Sequence, residues 1–253
     1  MTDIRTIEPM PYQEFRERYE EDEYNSMDEA LRISSQFYEE EMEEDATLFG
    51  SLLVHSDIYG WNNLNRPTDR TTEFLTTEDE IARLGEEYDI WEPEDNCYFL
   101  DYNGWAVGLI PVEKDVFEGE YLEEPITISE SFLQNSTRIE IDGNDLKVLR
   151  PEINFGMKAR RYTDSLLSES YVKSNDLADM ASMMKSHRKQ ENGEYDRKML
   201  ADVVEDYTEG QFPEIEWLKD TQIRVDEHIT LNDWKDINLE AEALYKELEK
   251  APF

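Results

Sequence analysis

The stretch from Asn65 to Glu80 gathers side chains that can handle phosphate or a metal ion. It reads NRPTDRTTEFLTTEDE and carries Arg70, Thr72 and Glu73. Upstream, Gly50-Ser51 stands between ATLF and LLVHSDIYGW, a pattern typical of a strand, a tight turn and a helix. The first N–H groups of a helix lack partners within the helix, so such a turn can present them, with a hydroxyl, to phosphate. The alternative is a solvated loop and an ordinary turn in a very acidic chain.

The charge balance of the chain is strongly negative. It holds 62 Asp and Glu against 25 Lys and Arg, a formal net charge of -37. The acidic residues are spread along the chain, which predicts an acidic surface throughout, as in proteins that stay soluble in molar salt. At about 1 M salt the Debye length falls to about 3 Å, so this self-repulsion is largely screened. The composition favours a halophilic cytoplasm, with an ordinary acidic protein as the alternative.

Several classes of protein do not fit the sequence. No segment approaches the roughly 20 apolar residues of a membrane-spanning helix, and MTDIRTIEPMPYQEF lacks the pattern of a secretory signal. Cys97 is the only cysteine, which excludes an internal disulfide and a cysteine-based zinc site. The histidines, His55, His187 and His228, show no ligand spacing. A surface with this much negative charge repels nucleic acid at low salt. Nucleic acid is therefore expected only as an RNA acceptor at high salt.

The order of predicted elements indicates an α+β fold with a mixed β-sheet core, flanking helices and a helical C-terminal half. Residues 1–45 form an N-terminal helical segment, with Phe15, Tyr19, Leu31, Ile33 and Phe37 as candidate buried positions. Residues 46–150 form the α/β core. Within it, two hairpins are predicted at Asn103-Gly104 and at Asp142-Gly143-Asn144, because each turn lies between strand-like runs. Residues 151–253 form a helical region that begins with PEINFGMKARRYTDSLL.

Several weak motifs occur together in a recognisable order. LKVLRPEINFGMKARRYTDSLLSESYVKSNDLADMASMM contains Pro151-Glu152 at a helix start, then Lys158, then arginines, then Lys173 before a D-x-x-D pair. Earlier, LFGSLLVHSDIYGW supplies a Gly-Ser turn, and Arg70-Thr71-Thr72-Glu73 an R-x-T element. Over about residues 46 to 185 this order resembles the nucleotidyltransferase fold. More narrowly, it resembles the AbiEii-like (abortive-infection toxin) nucleotidyltransferases of bacteria and archaea.

The resemblance implies a set of site residues and ligands. The implied catalytic residues are Glu73, Lys158, Asp176 and Asp179, with Glu73 also a metal ligand. The implied nucleotide-binding residues are Gly50, Ser51, Arg70, Thr72, Arg161 and Lys173. The resemblance also implies an NTP as ligand, magnesium as the cofactor if the protein is catalytically active, and an antitoxin or another protein as partner.

The chain departs from the family's pattern at its metal ligands. After Glu73 the family reads Asp-x-Asp, but Phe74 and Thr76 stand where those aspartates belong. The third carboxylate would lie on GWAVGLIPV, where Gly108 stands. Two interpretations remain open: the metal site has decayed or been repurposed, or a shifted site uses Glu73 and Glu113.

Structural roles also remain open for the late charged residues. Lys158, Arg160 and Arg161 are expected either to hold phosphate or to pair with surface carboxylates. Asp176 and Asp179 lie three residues apart, a spacing typical of a solvated helix face. The acidic clusters at 39–45 and 78–80 are interpreted as halophilic surface.

Three functions follow from these interpretations. The first is a degenerate or repurposed nucleotidyltransferase-fold protein that binds a nucleotide or a partner in a toxin–antitoxin or phage-defence system. The second is an active magnesium-dependent nucleotidyltransferase toxin that modifies RNA or protein. The third is a non-enzymatic acidic structural or interaction protein of a halophile.

Overall fold

The chain divides into two compact units. One comprises residues 1–52 and 67–150, and the other comprises residues 53–66 and 151–253. The computed structural model describes residues 27–43, 46–50, 52–53, 71–94, 96–116, 126–167, 176, 179–180, 183 and 197–208. Ser51, Arg70 and Lys173 lie outside the described residues, as do Phe15 and Tyr19.

The first unit is built on a mixed seven-stranded sheet with flanking helices, which confirms the α+β prediction. The strands of the described residues are β1 Thr47–Leu48, β2 Thr71–Thr76, β3 Ile90–Glu94, β4 Cys97–Tyr102, β5 Trp105–Pro111, β6 Asp115–Val116, β7 Ile126–Thr127, β8 Ser136–Ile141 and β9 Asn144–Leu149. The order in the large sheet is β3-β4-β5-β2-β1-β9-β8, and β6 pairs with β7 separately. Within the large sheet β2 runs parallel to β5 and β1 runs parallel to β9, while the other pairs are antiparallel.

The helices of the described residues fall in both units. They are α1 Met27–Glu41, α2 Glu78–Leu84, α3 Ser131–Gln134, α4 Pro151–Leu167 and α5 Arg197–Thr208. Within the described part of the chain, no helix is long and apolar enough to cross a membrane.

Both predicted hairpins are confirmed. The β4–β5 hairpin turns at Asn103 (φ 56°) and Gly104 (φ 80°), and the β8–β9 hairpin turns at Asp142 (φ 52°) and Gly143 (φ 90°). Two successive residues with positive φ make the type I′ turn, whose twist matches that of paired strands. Asn and Asp tolerate this conformation and glycine adopts it freely, so the dipeptides set the strand register.

Helix α1 packs on one face of the sheet. Its predicted buried positions Leu31, Ile33 and Phe37 are buried. The Phe37 ring lies 5.8 Å from that of Phe74 and 5.1 Å from that of Tyr102, measured between centroids. Because side chains alternate along a strand, the even-numbered residues of β2 point towards this helix.

Helix α2 is held to the end of α1 by a buried carboxylate. Thr77 caps α2, because its Oγ1 accepts a hydrogen bond from the Glu80 N–H at 3.2 Å. Glu80 is fully buried, and its Oε1 accepts from the N–H of Glu43 at 2.8 Å and from Nη2 of Arg83 at 2.9 Å. Arg83 also donates to the carbonyl of Glu41. The assignment of residues 78–80 to the surface is therefore wrong for Glu80, which joins two helices.

The second unit contains α4 and α5 packed closely together. Helix α4 has the bounds that the sequence predicts, beginning at Pro151, whose missing N–H costs nothing at the first turn. A Cβ placed on Gly156 would lie 2.2 Å from Cγ1 of Val203, so glycine permits the close approach of the two helices. Arg160 strengthens the same contact by donating from Nη1 to the carbonyl of Tyr207 at 3.0 Å.

Candidate functional site

The first unit places a carboxylate against a left-handed turn. Gly50 follows β1 with φ 87°, a conformation that glycine adopts without steric cost. The N–H of Phe49 donates to the carbonyl of Glu73 at 3.1 Å, which fixes the end of β1 beside the middle of β2. A Cβ on Gly50 would lie 2.9 Å from Oε2 of Glu73. The carboxylate of Glu73 therefore packs directly against the turn.

A second glycine gives the Glu73 side chain its room. In the parallel pairing of β2 with β5, Glu73 lies opposite Gly108. A Cβ on Gly108 would lie 3.2 Å from Cγ of Glu73 and 3.0 Å from Cε1 of Phe99. Glu73 itself is half-buried, so its charge is partly open to solvent. The result is an accessible carboxylate held between two glycines.

The alternation of β2 decides which side chains share this face. Thr71, Glu73 and Leu75 point to the same side, and Leu75 is fully buried. Their partners on β5 are Ala106, Gly108 and Ile110, none of which carries an oxygen ligand in its side chain. Of these strand positions, Glu73 is the one that supplies a carboxylate.

Phe74 and Thr76 point the other way. Phe74 stacks on Tyr38 of α1 with ring centroids 6.3 Å apart, and Thr76 is fully buried. Aspartates at these two positions would lie under α1 and not beside the Gly50 turn. By the strand's alternation, the positions that share the face of Glu73 are those of Thr71 and Leu75.

Thr72, implied above as a nucleotide-binding residue, also lies on the α1 face. It is 2 % exposed, and its hydroxyl shares a hydrogen bond of 2.6 Å with that of Ser34. The Ser34 hydroxyl also donates to the carbonyl of Ala30 at 2.7 Å. The visible role of Thr72 is to fix α1 on the sheet.

Glu113, the second carboxylate of the shifted-site interpretation, lies at a distance from Glu73. It lies in the turn after β5, which ends at Pro111, whereas Glu73 lies opposite Gly108 within the strand. Oε1 of Glu113 accepts from the N–H of Glu130 at 2.6 Å, so the side chain holds the residue that precedes α3. Within the described residues, no group of three or more His, Cys, Asp or Glu side chains can hold a metal ion. The described donor set therefore does not fit a two-magnesium centre.

The second unit contains a different charged cluster, made by Lys158, Arg161, Asp176 and Asp179. Nζ of Lys158 lies 2.6 Å from Oδ2 of Asp179 and 3.7 Å from Oδ1 of Asp176. Nε of Arg161 lies 3.3 Å from Oδ2 of Asp176. Both aspartates and the lysine are buried, while about a third of the Arg161 side chain (32 %) remains exposed.

Among these four described residues, two cations face two carboxylates, so their formal charges balance. Charges removed from water are costly unless they are paired, and Lys158 also donates a hydrogen bond to Asp179 at 2.6 Å. The interpretation of Asp176 and Asp179 as a solvated helix face is wrong, since these residues are 2 % and 1 % exposed. Their spacing of three places both on one helix face, but that face is turned to Lys158 and Arg161.

The catalytic and nucleotide-binding residues that the resemblance implies thus belong to two units of the chain. Gly50 and Glu73 are in the first, and Lys158, Asp176 and Asp179 are in the second. Each group is internally organised: the first by strand register around a glycine turn, the second by ion pairing. The sequence pattern marks Gly108 only as the position of a missing carboxylate. Its role in making room for Glu73 depends on the parallel register of β2 and β5, which no local sequence motif predicts.

Comparison with known proteins gives structural similarity alone. No family model matches the chain, and no curated protein matches it. One similar solved structure is an antigenic nucleotidyltransferase-like protein from Paracoccidioides brasiliensis, at 12% identity and a TM-score of 0.40, covering 72% of this chain and 87% of that one. Another is a candidate nucleotidyltransferase from H. pylori, at 15% identity and a TM-score of 0.41, covering 90% of this chain and 96% of that one. At these values the similarity transfers neither an activity nor site residues to this protein.

Proposed function

We propose that this is a nucleotidyltransferase-fold protein, degenerate or repurposed, that binds a magnesium–NTP complex at the Gly50 turn. The observation that carries the proposal is the position of the half-buried Glu73, whose Oε2 abuts the turn while the lack of a side chain at Gly108 makes room for its Cγ. Magnesium is commonly bound through one or two carboxylates together with the phosphates of its nucleotide. One carboxylate beside a turn suits that kind of ligand, in which the nucleotide brings its own metal ion.

The same geometry supports binding without efficient turnover. Two-metal phosphoryl chemistry needs oxygen ligands that clamp both the attacking and the leaving oxygen. The other positions on the face of Glu73 are Thr71 and Leu75 on β2, and the opposing positions on β5 have no side-chain oxygen. Binding energy without transition-state contacts gives a complex, and not a fast reaction.

An active magnesium-dependent nucleotidyltransferase that modifies RNA or protein is the second candidate. It is favoured by one observation: Glu73 faces the turn, whereas Phe74 and Thr76 face α1. A carboxylate therefore does occupy one of the positions at which the resemblance expects a metal ligand. The two candidates differ in whether the bound nucleotide is consumed.

The biological setting is proposed from the sequence. The resemblance supports a toxin–antitoxin or phage-defence role with an antitoxin or another protein as partner. The net charge of -37 supports a salt-rich cytoplasm. A non-enzymatic acidic interaction protein of a halophile is the outcome if no nucleotide binds.

The experiment is calorimetric titration of the protein with Mg–ATP and Mg–GTP in molar KCl. Wild type is compared with Glu73→Gln, which removes the charge and keeps the shape, and with Glu113→Gln as a matched control. We expect Glu73→Gln to weaken binding by roughly ten- to a hundredfold, the worth of a charged ligand contact, and Glu113→Gln to leave it unchanged. Absence of metal-dependent nucleotide binding in the wild type would refute both candidates.

A transfer assay then separates the two candidates. Labelled NTP is incubated with the protein and with RNA or protein acceptors at the same salt concentration. The binding proposal predicts that no label enters the acceptors above the level of the Glu73→Gln variant. Incorporation that Glu73→Gln abolishes would establish the active enzyme instead.

A further inference from the structure

The two edges of the large sheet are built differently. At one edge, β3 contains Pro93, which has no backbone N–H, and its register against β4 is irregular between Trp91 and Glu94. Proline and irregular pairing are devices that keep an edge strand from pairing with another chain. At the other edge, β8 pairs regularly with β9 along its whole length, from Ser136 to Ile141, and contains no proline. Among the described strands, β8 has β9 as its one neighbour.

The backbone groups on the open side of β8 belong to its even-numbered residues. The two residues that flank a two-residue hairpin turn exchange hydrogen bonds, so Ile141 bonds with Asn144 and every second residue of β8 does the same. At the far end of the hairpin the N–H of Arg150 donates to the carbonyl of Asn135, which fits the same odd-numbered series. The N–H and C=O groups of Ser136, Arg138 and Glu140 therefore point away from β9.

The side chains of Arg138 and Glu140 face like charges within their own sheet. Arg138 lies opposite Lys147, and Glu140 lies opposite Asp145. Like charges directly opposed across strands are unfavourable. Arg138 has a diagonal ion pair with Asp145 at 3.2 Å, but their side chains are 65% and 54% exposed, so the contact is weak. Both Arg138 and Glu140 are exposed.

A second copy of β8 can be added antiparallel at the edge that faces away from β9. It would pair with the outward backbone groups and place its own charged side chains opposite Arg138 and Glu140. Outward-facing groups must pair with outward-facing groups, so the two-fold axis can pass through residue 138, 139 or 140. An axis at Arg138 would oppose two arginines, and one at Glu140 would oppose two glutamates. With the axis at Ile139, each Arg138 lies opposite the other copy's Glu140, and the two Ile139 side chains meet at the axis.

We propose that β8 is a self-association edge through which two copies of this chain join antiparallel, with the two-fold axis at Ile139. Backbone pairing then uses the groups of Arg138 and Glu140, and their side chains form two symmetric ion pairs. The same surface patch serves both copies, as a closed two-fold dimer requires. Because one strand pair is a small interface, we expect a dissociation constant of the order of micromolar or weaker.

The salt dependence of the dimer follows from two opposing effects: repulsion between the net charges of the two copies, and attraction within the ion pairs at the interface. With a net charge of -37 on each copy, repulsion opposes association at low salt and is screened at molar salt. Ion pairs at direct contact are screened less than charges farther apart. Association is therefore expected to strengthen from low to molar KCl, the reverse of an interface held by surface charge alone.

The test is sedimentation equilibrium of the full chain in molar KCl over a range of protein concentrations. Arg138→Glu and Glu140→Arg should each weaken the dimer by roughly tenfold or more, because two favourable contacts become repulsive. The double variant Arg138→Glu/Glu140→Arg should restore it, since the opposed charges again differ. Lys114→Glu is the matched control, with a comparable charge reversal at an exposed side chain beyond β5, and should leave dimerisation unchanged.

The register is tested separately by oxidation of single-cysteine variants. Ile139→Cys should form an intermolecular disulfide, because non-hydrogen-bonded opposite residues lie close enough for one. Cysteine at 138 or 140 should not, and Cys97 is buried. A monomeric wild type at every concentration and salt would overturn the proposal, as would a dimer that neither single charge reversal weakens. Circular dichroism confirms that each variant is folded.

Discussion

Two groups of charged side chains among the described residues use their carboxylates in different ways. In the first unit Glu73 is half-buried and lies against Gly50, and its Cγ packs beside Gly108. In the second unit Lys158 is enclosed with Asp176 and Asp179 at side-chain exposures of 4 % or less. In the first arrangement the carboxylate is partly exposed to solvent. In the second, buried charges are paired with opposite charges.

The comparison shows why residue type alone cannot identify a site. Buried ion pairs contribute little net stability relative to apolar packing, but removal of one partner leaves a charge with no compensation. Substitution of a half-exposed carboxylate changes the free energy of unfolding of the protein only a little, because water can replace the lost contact. Substitutions in the two groups should therefore separate into effects on stability and effects on binding.

The largest expected effect is the loss of the buried cation. Lys158→Met keeps the length of the side chain but leaves Asp176 and Asp179 without their lysine, which should lower the free energy of unfolding by about 3–5 kcal/mol. Lys114→Met is the control, since Lys114 and Glu78 form an exposed pair at 3.1 Å that should contribute less than about 1 kcal/mol. Urea denaturation in molar KCl measures both. Equal losses would remove the distinction between the two groups.

A smaller effect is expected at the face of β2 that packs on α1. Thr72→Val keeps the volume but removes the hydrogen bond to Ser34, which should cost about 0.5–1.5 kcal/mol. Nucleotide binding should be unchanged, because the side chain points away from Glu73. Titration with Mg–ATP beside urea denaturation measures both quantities. A variant of normal stability that fails to bind nucleotide would place Thr72 in the binding site after all.

The smallest expected effect is on the pH dependence of stability, and it arises at the acidic C-terminal end of α1. Its carboxylates accept from neutral hydroxyls, as in the 2.6 Å hydrogen bond from Tyr102 to Glu40. Burial, aided by a hydrogen bond to Glu41, raises the pKa of Tyr88 from 10.0 to about 12. Because the folded state holds this proton more tightly, the stabilisation is complete below pH about 10 and is lost as the pH rises towards about 12.

Tyr88→Phe removes this titrating group. The variant should show a shallower fall in thermal stability between pH about 10 and about 12 than the wild type. The comparison uses thermal unfolding at a series of alkaline pH values and constant salt. An unchanged slope would show that Tyr88 does not contribute to the alkaline transition.

The sequence predicts most of the fold because its signals are local. Asn103-Gly104 and Asp142-Gly143 specify their hairpins by backbone conformation, and Pro151 marks the first residue of α4. The role of Gly108 depends on its parallel pairing with Glu73, a contact between strands distant in sequence. The burial of Glu80, Asp176 and Asp179 likewise depends on partners brought by tertiary packing, which a spacing of three or four residues does not reveal.

The most direct test of the central claim is a nucleotide titration of two glycine variants in molar KCl. Gly50→Ala and Gly143→Ala share the strain of a side chain at positive φ, about 1–2 kcal/mol each. Only at Gly50 does the new Cβ meet Glu73, at 2.9 Å, whereas nothing lies within 4 Å at Gly143. We predict that Gly50→Ala loses Mg–ATP binding while Gly143→Ala retains it. Equal affinity in the two variants would contradict a binding site at the Gly50 turn.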